Sequence, residues 1–325
     1  MTPASPILRT RPGTDLSAGR ARSRGSALVA ILWIVSILTI AVFSATQFLF
    51  IELESDSNAS SLFQAELLAD RGVAIAAHAK VKKGDRLLNQ SFGNGLSFSA
   101  RISSEGDRLN LNSLLENAES DRIVLEELFY QWGLRREEAV DVVDNLIDWY
   151  DADDEPTNVG AERSYYYSQD RLNHPFNRPF DSLEEVALVK DFGLVAAANP
   201  SWREAFTLLS GGTLDLNEAP PELIAAACQV SFEAARKFVS IRDGLDQTPG
   251  TLDDLRFEEV ESALDLLGVP VGFIDEVSAR VTTEDPARRI LSLGRNGAIS
   301  VERSVTVQYT GDRGTIIHWE TRRLE

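Results

Sequence analysis

The chemically densest stretch of the chain is a run of carboxylates. Asp151, Asp153, Asp154 and Glu155 crowd together, and Glu162 returns after the break made by Pro156. Five such groups repel one another, and an oxygen-seeking cation is what relieves the repulsion. Calcium accepts about six to eight oxygen ligands in flexible geometry, so an irregular loop suits it better than it suits magnesium. The spacing is not that of an EF-hand, because Pro156 stands where that loop wants glycine. Without a metal, the same residues read as a solvated acidic helix end, an arrangement that the helix dipole opposes. Thr157, Asn158 and backbone carbonyls offer further oxygens nearby.

Other chemistry is poorly supplied. His78, His174 and His318 lie far apart in sequence, and none has the spacing of a zinc ligand set. Cys228 is the single cysteine, which excludes an intramolecular disulfide and reads as a core residue of the helix after Pro221. No Gly-x-Ser-x-Gly elbow or glycine-rich phosphate loop is present. Ser–His–Asp combinations can be assembled from any chain of this size, and the sequence alone also leaves open a glycosidase-like carboxylate pair. The chain is read as a non-enzyme. Its net charge of −18 disfavours nucleic acid and anionic lipid as partners.

The elements that must position the acidic residues are helical. Residues 105–283 read as a helical block whose parts occur twice in the same order. Leu109-Asn110-Leu111-Asn112 precedes a helix, followed by Trp132-Gly133-Leu134, a second helix from Arg136 to Tyr150, and Phe180-Asp181-Ser182-Leu183-Glu184-Glu185-Val186. Leu214-Asp215-Leu216-Asn217 likewise precedes a helix, followed by Gln229-Val230-Ser231, a helix from Phe232 to Asp243, and Gly250-Thr251-Leu252-Asp253-Asp254-Leu255. Such units are similar to SAM-like or helix-hairpin-helix repeats, with the asparagines as caps and turn formers. Their acidity points to packing and not to nucleic-acid binding.

A charge boundary organises the other end of the chain. Arg9, Arg11, Arg20, Arg22 and Arg24 precede an uncharged stretch from Ser26 to Ile51, after which Glu52, Glu54 and Asp56 follow. That stretch would rise about 39 Å as a helix, enough to cross a hydrocarbon core of about 30 Å. The arginines keep its N-terminal flank cytoplasmic, so the chain after residue 51 is expected in the periplasm. Helical spacing continues from Ser55 to Lys83, through Leu62, Phe63, Leu67, Leu68, Val73 and Ile75. The turn Gly93-Asn94-Gly95 then leads into an alternating strand, Leu96–Ser103. Further strands are expected at Arg289–Leu293, Ser300–Tyr309 and Thr315–Thr321. A sheet needs about three strands for independent stability, so the helical block is read as an insertion between strands of one sheet.

A long first helix, an antiparallel sheet and a basic leader ending at Gly25 before Ser26-Ala27-Leu28-Val29-Ala30-Ile31-Leu32 resemble the pilins and pseudopilins. Within them, the chain resembles the K-type minor pseudopilin of type II secretion (general secretion pathway protein K). The most specific patch is Leu146-Ile147-Asp148-Trp149-Tyr150-Asp151-Ala152-Asp153-Asp154-Glu155-Pro156, with Gly160-Ala161-Glu162, Tyr165-Tyr166 and Asn177-Arg178-Pro179-Phe180.

The resemblance implies an α+β, pilin-like fold carrying a large, mostly helical insertion. Its parts would be a leader over 1–25, a span over 26–51, helix and first strand over 52–104, the insertion over 105–283 and the last strands over 284–325. It further implies cleavage by a prepilin peptidase behind Gly25 and methylation of Ser26 at the new N-terminus. The implied cofactor is structural calcium in the insertion, and the implied partners are I-type and J-type minor pseudopilins and the major pseudopilin. Most pilins carry a glutamate where this chain has Ala30; a subunit with no predecessor to pair with is better without that charge in lipid. This suits a filament tip in the inner membrane that starts pseudopilus assembly and aids export of folded proteins. The alternatives are a minor pilin of a type IV pilus-like machine and a membrane-anchored periplasmic calcium-binding or hydrolytic domain.

Overall fold

The computed structural model describes residues 23–247, 249 and 253–324, without the side chains of 23–26 and 49–57. Residues 1–22 of the expected leader therefore lie outside the described residues. Two units are distinguished, one ending at Ser60 and one beginning at Ser61.

Helix α1 runs from Ser23 to Ala76. In the first unit it contains an apolar segment, Ala27–Phe48, with a mean hydropathy of 2.6 and no buried residue. The hydroxyls of Ser36, Thr39 and Thr46 donate to the carbonyls of Leu32, Val35 and Val42, so these polar groups are satisfied within the helix itself. In the second unit, α1 buries Ala65, Ala69, Val73 and Ala76 at intervals of three and four residues. The helix ends before the expected Lys83, because Val81 and Leu88 leave it to join the sheet core while Gly84 turns the chain at φ +80°.

The sheet has the order β1-β2-β7-β8-β9 and is antiparallel throughout. Strands β1 (Asn89–Gly93) and β2 (Leu96–Ser104) form a hairpin; β2 corresponds to the expected first strand, and β1 was not anticipated. The chain then leaves the sheet and returns as β7 (Ala287–Asn296), directly beside β2, from Leu96 opposite Asn296 to Ser104 opposite Arg288. Strands β8 (Ile299–Thr310) and β9 (Arg313–Leu324) complete it. The helix lies so close to β7 that a Cβ on Gly294 would come within 2.1 Å of the Ala65 carbonyl oxygen.

Between β2 and β7 lies the helical insertion, in two halves. The first contains β3 (Leu109–Asn110), α2 (Leu111–Glu116), α3 (Ala118–Gln131), α4 (Arg136–Tyr150), α5 (Arg163–Ser168), α6 (Leu183–Val186), α7 (Phe192–Ala198) and β4 (Phe206–Thr207). The second contains β5 (Leu214–Asp215), α8 (Pro221–Cys228), α9 (Phe232–Arg242), α10 (Val260–Leu267), α11 (Ile274–Ser278) and β6 (Val281–Thr282). Each half closes on itself by a parallel two-residue ladder, β3 with β4 and β5 with β6. A single apolar core runs through both and includes Leu128, Phe129, Leu146, Trp149, Trp202, Leu223, Ile224, Phe238 and Leu264. Each fully buried side chain of this kind contributes about 1.5–3 kcal/mol.

The repeated asparagines have one role. Asn112 donates to the Phe180 carbonyl (3.0 Å) and accepts from the Phe180 amide (2.9 Å); Asn217 does the same with Phe257 (2.9 and 2.9 Å). Phe180 stacks on Trp149 of α4, and Phe257 on Phe238 of α9. The counterpart of Phe180-Asp181-Ser182-Leu183 is thus Phe257-Glu258-Glu259-Val260, and not a part of Gly250–Leu255, where residues 250–252 lie outside the described residues. Asn110 caps α2 by accepting from the Ser113 amide.

Candidate metal centre

The first half positions the acidic patch through α4. Its core stripe of Ala139, Val142, Val143, Leu146 and Trp149 is interrupted by buried polar residues, Asp144, Asn145 and Asp148. Asp144 has partners: Arg122 at 2.7 Å and the Asn158 amide at 3.3 Å. One turn further on, Asp148 has no cationic partner among the described residues. One of its oxygens, Oδ1, accepts from the Thr157 amide at 2.8 Å, which folds the loop back over the end of the helix. Gly160 then passes so close that a Cβ there would lie 1.9 Å from Asp148 Oδ2. Only glycine allows that approach, and it delivers Glu162 to the same place.

Asp148, Asp151 and Glu162 converge, each offering a carboxylate oxygen within 4.8 Å of the others. Asp148 Oδ2, Asp151 Oδ1 and both oxygens of Glu162 are buried without a hydrogen-bond partner. Among the described residues no arginine or lysine pairs with any of the three. Burial, then repulsion by Asp148 and Asp151, pushes Glu162 up to about 7. Burial, then Asp153 and Asp148, pushes Asp151 up to about 6, and burial raises Asp148 as well. Leaving a buried polar group unpaired costs about 1–3 kcal/mol, and more when it is charged.

Aromatic packing holds these groups in place. Trp149 sits among Tyr166, His174, Phe176 and Phe180, with ring centroids 5.4–6.1 Å away. Tyr166 lies one turn beyond Glu162, and its hydroxyl accepts from the Lys190 amide at 3.0 Å. The acidic triad is therefore carried on a rigid base.

The structure gathers Asp151 and Glu162 from the five expected residues. Asp153, Asp154 and Glu155 are exposed: Asp153 Oδ1 accepts from the Glu155 amide, and Asp154 lies 3.7 Å from Arg163. Asp148 is the residue that sequence reasoning missed. Its signal was available, since Asp144, Asp148 and Asp151 recur at helical spacing beside the apolar stripe. Thr157 and Asn158 serve the cluster through hydrogen bonds to Asp148 and Asp144. A hard, oxygen-seeking cation fits the site: the donors are all carboxylate oxygens, and four of them are orphaned. His78 accepts from the Lys80 amide, His174 packs among rings and His318 lies on β9, so the histidines are in three separate places. Gly25 and Ser26 fall within the backbone of α1, and Ala30 is exposed on its apolar segment.

Residues 107–199, which contain this whole site, match the family model of the type II secretion system (T2SS), protein K. The K-type resemblance carried by Leu146–Pro156 lies inside that stretch. No curated protein matches the chain. Among solved structures, it is similar to a chain in the crystal structure of the GspK-GspI-GspJ complex from the enterotoxigenic Escherichia coli type 2 secretion system. The TM-score is 0.58 at 13% identity, covering 83% of this chain and 99% of that one. At that identity the likeness speaks for the fold.

Proposed function

We propose that the chain is a minor pseudopilin that stands at the tip of a type II secretion pseudopilus and starts its assembly. The observation that carries this reading is the combination, in one chain that matches the protein K model, of an uncharged apolar segment with Ala30 at its start and a bulky insertion in a pilin-type sheet. A subunit with no predecessor has no terminal ammonium to neutralise, and a carboxylate at position 30 would be a cost in lipid. After cleavage behind Gly25 by a prepilin peptidase and methylation of Ser26, the apolar helix holds the chain in the inner membrane with its later residues in the periplasm. There it joins I-type and J-type minor pseudopilins, the partners named in the similar complex, while major pseudopilins are added below. Its part in moving folded proteins across the outer membrane is structural and not catalytic.

Calcium belongs to the same proposal. Asp148, Asp151 and Glu162 would hold it, and the ion would supply the positive charge that their orphaned oxygens lack. Its role is to fasten the loop 152–161 onto the end of α4.

The test is the intact mass of membrane-extracted protein made with and without a prepilin peptidase, followed by co-purification with I-type and J-type subunits. Loss of residues 1–25 together with a stable ternary complex is the expected result. An intact N-terminus despite an active peptidase would overturn the reading.

A further inference from the structure

The strand that closes the sheet, β9, is paired on one side only. It meets β8 from Thr310 opposite Arg313 to Ser300 opposite Leu324, and among the described residues no strand lies beyond it. All of its residues are exposed. The position of α1 explains why. The helix touches β7 at Gly294 and reaches β8 through Asp70 and Arg303 at 2.8 Å, whereas among the described residues its ion pair with β9, Glu66 with Arg323, is a long one at 3.9 Å. The last strand therefore overhangs the helix.

Residues directly opposite each other in an antiparallel pair share a face. Ile316 opposes Val307 and Trp319 opposes Val305, so both lie on the helix-facing side. Val305 and Val307 are buried, whereas Ile316 is 51% and Trp319 45% exposed. The apolar row of the sheet core thus continues one strand further, into solvent. The same strand carries Arg313, Arg322 and Arg323 against Glu320 alone, in a chain whose net charge is −18.

We infer that β9 is a docking edge for an extended, acidic segment of another protein, which adds to the five-stranded sheet as one further strand. Main-chain hydrogen bonds to the open edge supply affinity, and alternate side chains supply specificity. The incoming apolar residues cover Ile316 and Trp319, and the carboxylates, on the opposite face, meet Arg313 at one end and Arg322 at the other. A second copy of this chain is a poor occupant. Antiparallel self-pairing over the full strand would set Arg313 of one copy beside Arg322 and Arg323 of the other, and like charges across a ladder are destabilising. Edge arginines also serve in some proteins only to discourage pairing. The two roles differ in how the edge responds to an acidic strand.

The test uses the full chain in detergent micelles and hydrogen–deuterium exchange of the segment 313–324. The probe is a blocked peptide of alternating glutamate and valine, with a lysine–valine peptide of equal length as control. At ten times its Kd, the glutamate peptide is expected to slow exchange of the β9 amides about tenfold, while the lysine peptide does not. The double variant Arg322→Glu/Arg323→Glu, both sites being exposed, is expected to lose that response and to acquire one to the lysine peptide. Unchanged exchange in β7 and β8 without peptide shows that its sheet is intact. No protection by the glutamate peptide, equal protection by both peptides, or protection that rises with protein concentration alone would each overturn the proposal.

Discussion

The two halves of the insertion share one skeleton and solve one electrostatic problem in opposite ways. In the second half, Arg242 ends α9. Its guanidinium is buried, pairs with Asp243 at 2.8 Å and donates to the carbonyls of Leu216 and Ala219 at 3.0 and 2.7 Å. In the first half, the corresponding end of α4 is Tyr150-Asp151, and the buried carboxylates around it find no guanidinium among the described residues. The second half carries its own counter-charge there, whereas in the first none of the described residues supplies one. A repeat can therefore keep its backbone scheme and yet differ in whether its buried carboxylates are neutralised from within.

The largest expected effect is on the self-sufficient half. Arg242→Met strands Asp243 and two carbonyl oxygens, and breaking a buried pair in this way costs about 3–5 kcal/mol. Urea denaturation should show that loss equally with calcium or with chelator, and a loss under about 1 kcal/mol would break the contrast between the halves. Chelation comes next. At a free calcium of one hundred times Kd, removing the ion should cost about 2.7 kcal/mol. Hydrogen exchange should quicken in 148–163 and not around Arg242. Asp154→Asn and Glu155→Gln, at exposed positions, should leave the calcium response within about 0.5 kcal/mol of wild type.

Removing the asparagine clasps probes what the halves have in common. Asn112→Ala and Asn217→Ala each leave backbone groups of a phenylalanine unpaired, at about 1–3 kcal/mol. Asn217→Ala should cost more, because that side chain also donates to the Thr283 carbonyl at 2.8 Å. Equal losses would show that the third bond is idle.

The effect of pH has a definite sign. In chelated protein, Glu162 titrates at about 7, above the 4.5 of a free glutamate, and Asp151 at about 6, above the 3.8 of a free aspartate. The folded form then retains protons that the unfolded chain has released, so its stability is fullest at low pH and declines as pH rises through about 7. Burial raises Asp107 and Asp285 to about 6, and both push the same way. With calcium the slope should flatten or reverse, because the ion competes with those protons. Thermal melts from pH 5 to pH 8 check both slopes.

Much of this was legible in the chain. The uncharged segment was visible from its flanking charges, and β2, β7, β8 and β9 from their alternation and turn residues. That the helical block lies between adjacent strands followed from strand order. What escaped had physical reasons. Strand β1 is Asn-Gln-Ser-Phe-Gly, polar and mostly exposed, and it owes its existence to pairing with β2 and not to its own pattern. The tail of the second repeat was misplaced because its equivalence rests on a backbone clasp by Asn217, which leaves no periodic trace. In the acidic patch, a run of carboxylates drew attention to Asp153, Asp154 and Glu155, while burial by the folded loop selected Asp148. Composition reports charge density, but only the fold reports which charges lose their water.

The measurement that bears most directly on the account is the calcium content of the full chain, purified through dialysis against low micromolar calcium and assayed by mass spectrometry of the metal. Wild type should retain calcium, and Glu162→Gln should retain less by one ion per chain while keeping its helical circular dichroism. An equal content in wild type and variant, or none in either, would contradict the claim that the buried triad of the first half is completed by a cation.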